Sequence, residues 1–329
     1  MLLGQRTGDS VVLAGKALRS TVIEDASAQA SMQHWIEMEC YQLSRGRQLA
    51  QMDILDLGNH QVVQERQVAA VQKLGVTPAN LCTLSYCTPD PSFRFSELGA
   101  SEADTLFFMP EHTEFDIYVP AGAQTAYVSF DQEEFLNGAR ALNPAQWGHT
   151  PLQLQQLQTA PQAALKGAIH LWFNTAAALS AAHVPVDSSL MPRLLLQHIL
   201  QVATVSPPHD SRPPPLERAR AVHICRMARA FVDECLAVDV VPTIVDICTT
   251  VGVSERSLQY AFRAYVDLSP VAYLRLCRLN RVRTTLRTSG PQTTTVTAVA
   301  MRFGFLHLGR FAQDYRRVFD ESPSVTLAS

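Results

Sequence analysis

The chain has 329 residues, about twice the length of a typical domain, with 47% hydrophobic and 17% charged residues and a net charge of −3. That balance excludes a disordered chain and predicts two globular domains. No run reaches the roughly 18 consecutive apolar residues of a membrane span, because the best candidate, residues 168–184, is broken by His170, Asn174 and His183.

The opening ten residues lack the ordered basic, apolar and small-residue segments of a secretory signal, so none is expected. The first 130 residues read mainly as short strands. In residues 50–54 every second side chain is apolar, which gives one buried face. Gly58-Asn59 suits a tight hairpin turn into a second strand over 62–66. Residues 105–109, 115–119 and 126–130 are rich in strand formers and are punctuated by Pro110, Pro120 and Gly122. Together they predict a small sheet or barrel.

From Asp131 the apolar period lengthens, predicting helices over 132–142, 161–182 and 188–205. In the last of these, Met191, Leu194, Leu195, Ile199 and Val202 form one stripe. It reads as core, with a subunit interface as the alternative. Helices placed just before a linker make a homodimer the expected assembly.

The segment 206–215 holds five prolines in ten residues. Proline fixes φ and lacks an amide donor, so this stretch reads as a semi-extended linker. The charge changes sign there: residues 216–329 hold 15 Arg, no Lys and 10 acidic groups, for +5, leaving −8 before the linker. A basic C-terminal third points to a polyanion as its partner. The domains are therefore predicted as 1–205, a linker over 206–215, and 216–329.

After a helix beginning at Leu216, and after Pro242, residues 243–263 follow the grammar of a helix-turn-helix. Such a unit needs a small residue where the helices cross, a residue tolerant of positive φ in the turn, and a cap for the second helix. Cys248, Gly252 and Ser254 supply these, while Ile247, Val253, Leu258 and Phe262 face a small core. The pattern returns in 294–319, with Ala300 as the small residue, Gly304 as the turn, and Val299, Phe305, Phe311 and Tyr315 as the core. One extra residue follows the second turn. Between the units, Ser269-Pro270 opens a connecting helix that ends before Ser289.

These residues carry a resemblance. Leu274, Arg278, Leu279, Arg283 and Leu286, then Ala300, Gly304, Phe305, Phe311 and Tyr315, and finally Ser322-Pro323, resemble the signature of the DNA-binding domain of the AraC/XylS family. The closing stretches 304–316 and 323–327 are most similar to the ethanolamine-operon regulator branch. The resemblance implies an α+β chain, with a sheet- or barrel-like sensor and its helices followed by an all-α domain with two helix-turn-helix units. It further implies a cytoplasmic, nucleoid-associated transcription activator. Its expected partners are promoter DNA, RNA polymerase, a second copy of the chain and a possible small-molecule effector.

Side chains near the start of a recognition helix reach base edges, and positions three and four apart share a face. Ser254, Arg256, Gln259, Tyr260 and Arg263 are the candidates on the first helix; by resemblance Arg256, Gln259 and Tyr260 occupy base-contact positions. His307, Arg310 and Gln313, with Asp314 beside them, are the candidates on the second. His307 is open to base reading, phosphate contact or capping. Arg316 and Arg317 suit phosphate neutralisation, and Ser254 and Thr294, at helix starts, can present amides to phosphate. By resemblance, Arg278 and Arg283 serve packing and internal pairing. Leu306, Leu308 and Gly309 make the second helix begin unusually apolar, so it is expected to position more than to read.

Enzyme chemistry finds no support in the residues. His112-Thr-Glu114 lacks the C-x-x-C partner of a zinc deaminase, and Cys82 and Cys87 have no evident base. No phosphate-binding glycine loop occurs. The seven cysteines, odd in number and without a C-x-x-C pair, predict reduced, packed thiols with neither disulfide nor metal, and no cofactor is expected. The alternatives to an effector-controlled regulator are one controlled by protein contacts at its N-terminal domain, or a metal-dependent enzyme domain fused to a DNA-binding domain.

Overall fold

The computed structural model describes residues 17–100, 105–158, 162–184, 190–204 and 216–328. The N-terminal segment read for a signal, the proline-rich linker, and the expected helix starts at Pro161 and Ser188 lie outside these residues. One sheet has seven strands in the order β1 (Leu18–Ile23), β3 (Ala50–Asp56), β4 (Gln61–Gln67), β11 (Gln124–Asp131), β6 (Leu81–Cys87), β9 (Thr105–Met109) and β12 (Gln155–Gln158). The other has five, in the order β2 (Glu37–Gln42), β5 (Val71–Val76), β10 (Glu114–Val119), β7 (Asp90–Phe95) and β8 (Leu98–Ala100). Every pairing is antiparallel, and Gly58 at φ +84° makes the β3–β4 hairpin turn as expected.

Around the sheets lie α1 (Ala26–Ser31), α2 (Gln132–Leu142), α3 (Pro144–Trp147), α4 (Gln162–Ala181) and α5 (Leu190–Thr204). The C-terminal helices are α6 (Leu216–Ala237), α7 (Ile244–Val251), α8 (Glu255–Val266), α9 (Pro270–Thr288), α10 (Val296–Arg302), α11 (Leu308–Phe319) and α12 (Pro323–Ala328).

Strand alternation builds the layers. All five side chains of β9 are buried: Phe107 and Met109 enter the core between the sheets, while Leu106 and Phe108 enter the core under α2 to α5. That second core gathers Phe135, Trp147, Trp172, Leu195 and Ile199. Of the stripe expected to be core on α5, Met191, Leu195 and Ile199 are buried and Val202 packs against them, whereas Leu194 is exposed.

The five-stranded sheet also packs against the C-terminal helices. Tyr41, Leu43 and Ala70 join one continuous core with the C-terminal helices, and Leu74 and Tyr118 pack against it. Polar groups stitch the same junction. Gln42 N–H donates to Asn280 Oδ1 and Asn280 Nδ2 returns to Gln42 O, both at 2.9 Å. Tyr273 donates to Gln72 Oε1 at 2.5 Å, and Tyr265 to the Asp116 carbonyl at 3.1 Å. Burial on both faces explains why β5 escapes sequence reading: with Gln72 and Leu74 under helices and Val71 and Lys73 buried on the other face, no clean apolar–polar alternation survives.

Candidate nucleic-acid interface

The first helix-turn-helix is built as its residues suggest. Gly252, at φ +71°, terminates α7 in the left-handed region that favours glycine, and its N–H bonds the Cys248 carbonyl. Ser254 caps α8 by accepting from Ser257 N–H. Ile247, Leu258 and Phe262 are buried, with Cys248 and Val253 packed against the same core. A capping box missed in the sequence begins α7: Thr243 N–H donates to Asp246 Oδ2 at 2.9 Å, and Asp246 N–H to Thr243 Oγ1 at 3.2 Å. Those bonds to Thr243, backbone first, hold the Asp246 carboxyl below its ordinary pKa. The signal was present as T-x-x-D before an apolar run.

The second unit repeats the scaffold with Gly304 at φ +76° and with Val299, Ala300, Phe305, Phe311 and Tyr315 buried. Its α10 is capped by Thr295, which accepts from Ala298 N–H; Thr294 lies one residue before the cap rather than on it. Threonines stand at 293, 294 and 295, so local sequence could not choose among them. His307 occupies the N-cap position of α11 but makes no side-chain capping bond. Ser269 caps α9 and Pro270 opens it, as expected.

The two recognition helices are equal in length. Each has twelve residues, from N-caps Ser254 and His307 to left-handed C-caps Asp267 and Asp320. The shared register pairs Arg256 with Gly309, Gln259 with Ala312, Tyr260 with Gln313, and Arg263 with Arg316. Where α8 offers its two best hydrogen-bonding readers, α11 has a hydrogen and a methyl group. Arg256, Gln259, Tyr260 and Arg263 are all exposed on α8, with Gln259 Nε2 donating to Glu255 Oε1 at 3.1 Å. On α11, His307, Arg310, Gln313, Arg316 and Arg317 are exposed, and Arg317 also approaches Asp314 at 3.5 Å. Asp314 itself turns inward, 14% exposed and paired with Arg275, so it leaves the reading face.

The remaining arginines of α9 are occupied internally. Arg278 lies 5.0 Å over the Phe305 ring, and burial followed by the nearby Arg275 charge lowers its pKa. Arg283 is 4% exposed and forms ion pairs with Asp25 at 3.2 Å and Glu321 at 3.1 Å. Arg281 reaches Glu39 at 3.4 Å and Asp233 at 3.3 Å. This is the packing and internal pairing expected for Arg278 and Arg283. Arg229 on α6, not singled out in the sequence, is buried against the Tyr41 ring at 4.4 Å and Glu39 at 3.1 Å.

All seven cysteines are free, five of them buried, and burial pushes the Cys87 thiol up to about 12. Among the described residues, no group of three or more His, Cys, Asp or Glu side chains could hold a metal, and no helix is long and apolar enough to cross a membrane.

A family model described as a helix-turn-helix domain matches residues 247–329. The chain is 40% identical over 85 residues to the "Probable thc operon regulatory protein" of Rhodococcus erythropolis, covering 26% of each protein. It is 40% identical over 74 residues to the "XylDLEGF operon transcriptional activator" of Pseudomonas putida, covering 22% of this chain and 23% of that one. The chain thus spans about a quarter of the length of these curated relatives. A solved structure described as a probable AraC family transcriptional regulator from Rhodopseudomonas palustris is 35% identical, with 32% of this chain and 94% of that one aligned and a TM-score of 0.29. With its twin scaffolds and its matched family model, the segment 247–329 is a helix-turn-helix domain, similar over that stretch to the operon-regulator relatives.

Proposed function

We propose that the whole chain is a sequence-specific transcription activator that sets α8 and α11 into successive major grooves of promoter DNA, about 34 Å apart. One observation carries this reading: the polar face of α8 is exposed while the arginines of α9 are consumed by internal partners. α8 supplies base contacts through Arg256 and Gln259, and Arg316 and Arg317 neutralise phosphates. The motif at 304–316 favours the ethanolamine-operon regulator branch, and contact with RNA polymerase follows from the same resemblance.

Effector control is supported by a cavity between the two sheets. Phe93, Phe95, Phe107 and Phe115 line it, and the buried Lys73–Glu65 pair lies at its polar side. Lys73 and Phe115 face this cavity from β5 and β10, while their neighbours Gln72 and Asp116 bond α9 and α8. A ligand there would press on the strands that carry the DNA-binding helices. Homodimerisation through α4 and α5 draws on the exposed Leu171 and Leu194.

The test is genome-wide mapping of duplexes bound by the full-length chain, followed by affinity measurements across salt. Binding should favour a defined site and fall steeply as salt rises. Salt-insensitive binding, or the absence of any preferred site, would remove the reading. For effector control, candidate metabolites should raise the melting temperature. If none does while a protein partner co-purifies, control by protein contacts replaces it.

A further inference from the structure

We propose that Leu306 is a specificity-determining residue, reading the C5 methyl group of a thymine at the start of α11. The inference rests on the DNA-binding reading above. Leu306 is the residue inserted between buried Phe305 and the N-cap His307, and the first unit has no counterpart because Val253 leads directly to Ser254. It is 76% exposed and belongs to none of the three hydrophobic cores, whereas Leu308 two positions on packs against the C-terminal one. A bare leucine there gains nothing from folding.

The neighbouring face supplies the second observation. Gly309 and Ala312 stand in register with Arg256 and Gln259, and a Cβ built at Gly309 would meet nothing within 4 Å. At positions 309 and 312 the start of α11 therefore has no long polar side chain between its backbone and the groove, so the helix can approach base edges closely on that strip. Leucine offers no hydrogen bond. The one apolar group that a base pair presents in the major groove is the thymine methyl, so this side chain distinguishes T from C by contact. His307, Arg310 and Gln313 flank it, which makes the apolar spot continuous with the proposed polar interface.

The test uses the full-length chain. Duplexes enriched from a random library are resynthesised with deoxyuridine replacing each thymine in turn, which removes only the methyl group. At one thymine the wild type should lose about fourfold in affinity, the equivalent of one buried methyl group. Leu306→Ala should bind the thymine duplex about fourfold more weakly than wild type and lose nothing further with deoxyuridine, while Leu306→Met keeps the discrimination. Because the side chain is exposed, the variants' melting temperatures should match wild type and so exclude misfolding. Indifference of the wild type to uracil at every position overturns the proposal. So does an equal loss in Leu306→Ala, which would assign the methyl contact to another side chain. Failure to enrich any duplex would instead overturn DNA binding itself, a different result from an enriched duplex that tolerates uracil.

Discussion

Arg256 and Arg283 are the same residue type in the same domain, put to opposite uses by burial. Arg256 is exposed two positions past the α8 N-cap and has no ion-pair partner among the described residues. An unpaired guanidinium in water keeps its fork free for guanine, so Arg256→Ala should leave the melting temperature unchanged. It should cost about 1–3 kcal/mol of binding and relax preference at a single base pair, measured by competition among site variants. Equal weakening on all sequences would make Arg256 a phosphate contact. Arg283 is enclosed by Asp25, Glu321, the Glu24 carbonyl and the Phe319 ring. Its removal leaves Arg287 as the remaining cation beside buried Asp25, so Arg283→Ala should lower stability by about 1–3 kcal/mol in denaturant titrations. In the sequence Arg256 is marked by its place on the outward face at the start of a helix and Arg283 by resemblance; their distinct surroundings come from packing.

At the scale of elements, the two turns look interchangeable and are not. Gly252 and Gly304 share the left-handed conformation, at φ +71° and +76°. A Cβ at Gly252 meets open space, so Gly252→Ala should cost only the conformational penalty, about 1–2 kcal/mol. At Gly304 the added carbon would lie 2.8 Å from Val241 Cγ2 and 3.2 Å from Arg278 Nη1. Gly304→Ala should therefore destabilise more than Gly252→Ala, and the difference in thermal unfolding measures the steric part alone. The recognition helices differ in the same hidden way. Both run twelve residues from their N-cap positions, which aligns Gly309 with Arg256, but Ser254 caps α8 with its hydroxyl whereas His307 makes no side-chain capping bond.

At the scale of the whole molecule, the sheet-bearing half and the helix-turn-helix half share a core. Tyr41, Leu43 and Ala70 pack among the C-terminal helices, and Asn280 closes both backbone groups of Gln42. Excised residues 216–329 would expose that apolar surface and leave Arg229 and Arg283 without Glu39 and Asp25. The fragment should melt at a lower temperature than the full chain. Acid should loosen the same junction. Burial by itself would raise the Asp25 pKa, but the Ser27 hydroxyl, Arg283, the Ala28 N–H and Arg287 outweigh it and hold the carboxyl below its ordinary value. A carboxyl depressed in the folded state adds stability above its unfolded pKa of about 3.9 and forfeits it as pH falls through the folded value. The stability gap between wild type and Asp25→Asn should thus be wide at neutral pH and close below about pH 4, as followed by thermal unfolding.

The sequence by itself determined the local machinery: both helix-turn-helix scaffolds, the capped connecting helix, the polar face of α8 and the helices that precede the linker. Each depends on neighbours within one or two turns, where small residues, glycines and caps act over a few ångströms of chain. Tertiary structure alone decided which strands hide both faces, which acidic partners the α9 arginines take, and that the five-stranded sheet seats the C-terminal helices. Those outcomes depend on residues more than two hundred positions apart, such as Gln42 and Asn280 or Asp25 and Arg283. No periodicity records such pairs, because their energies arise only when burial removes water from both partners at once.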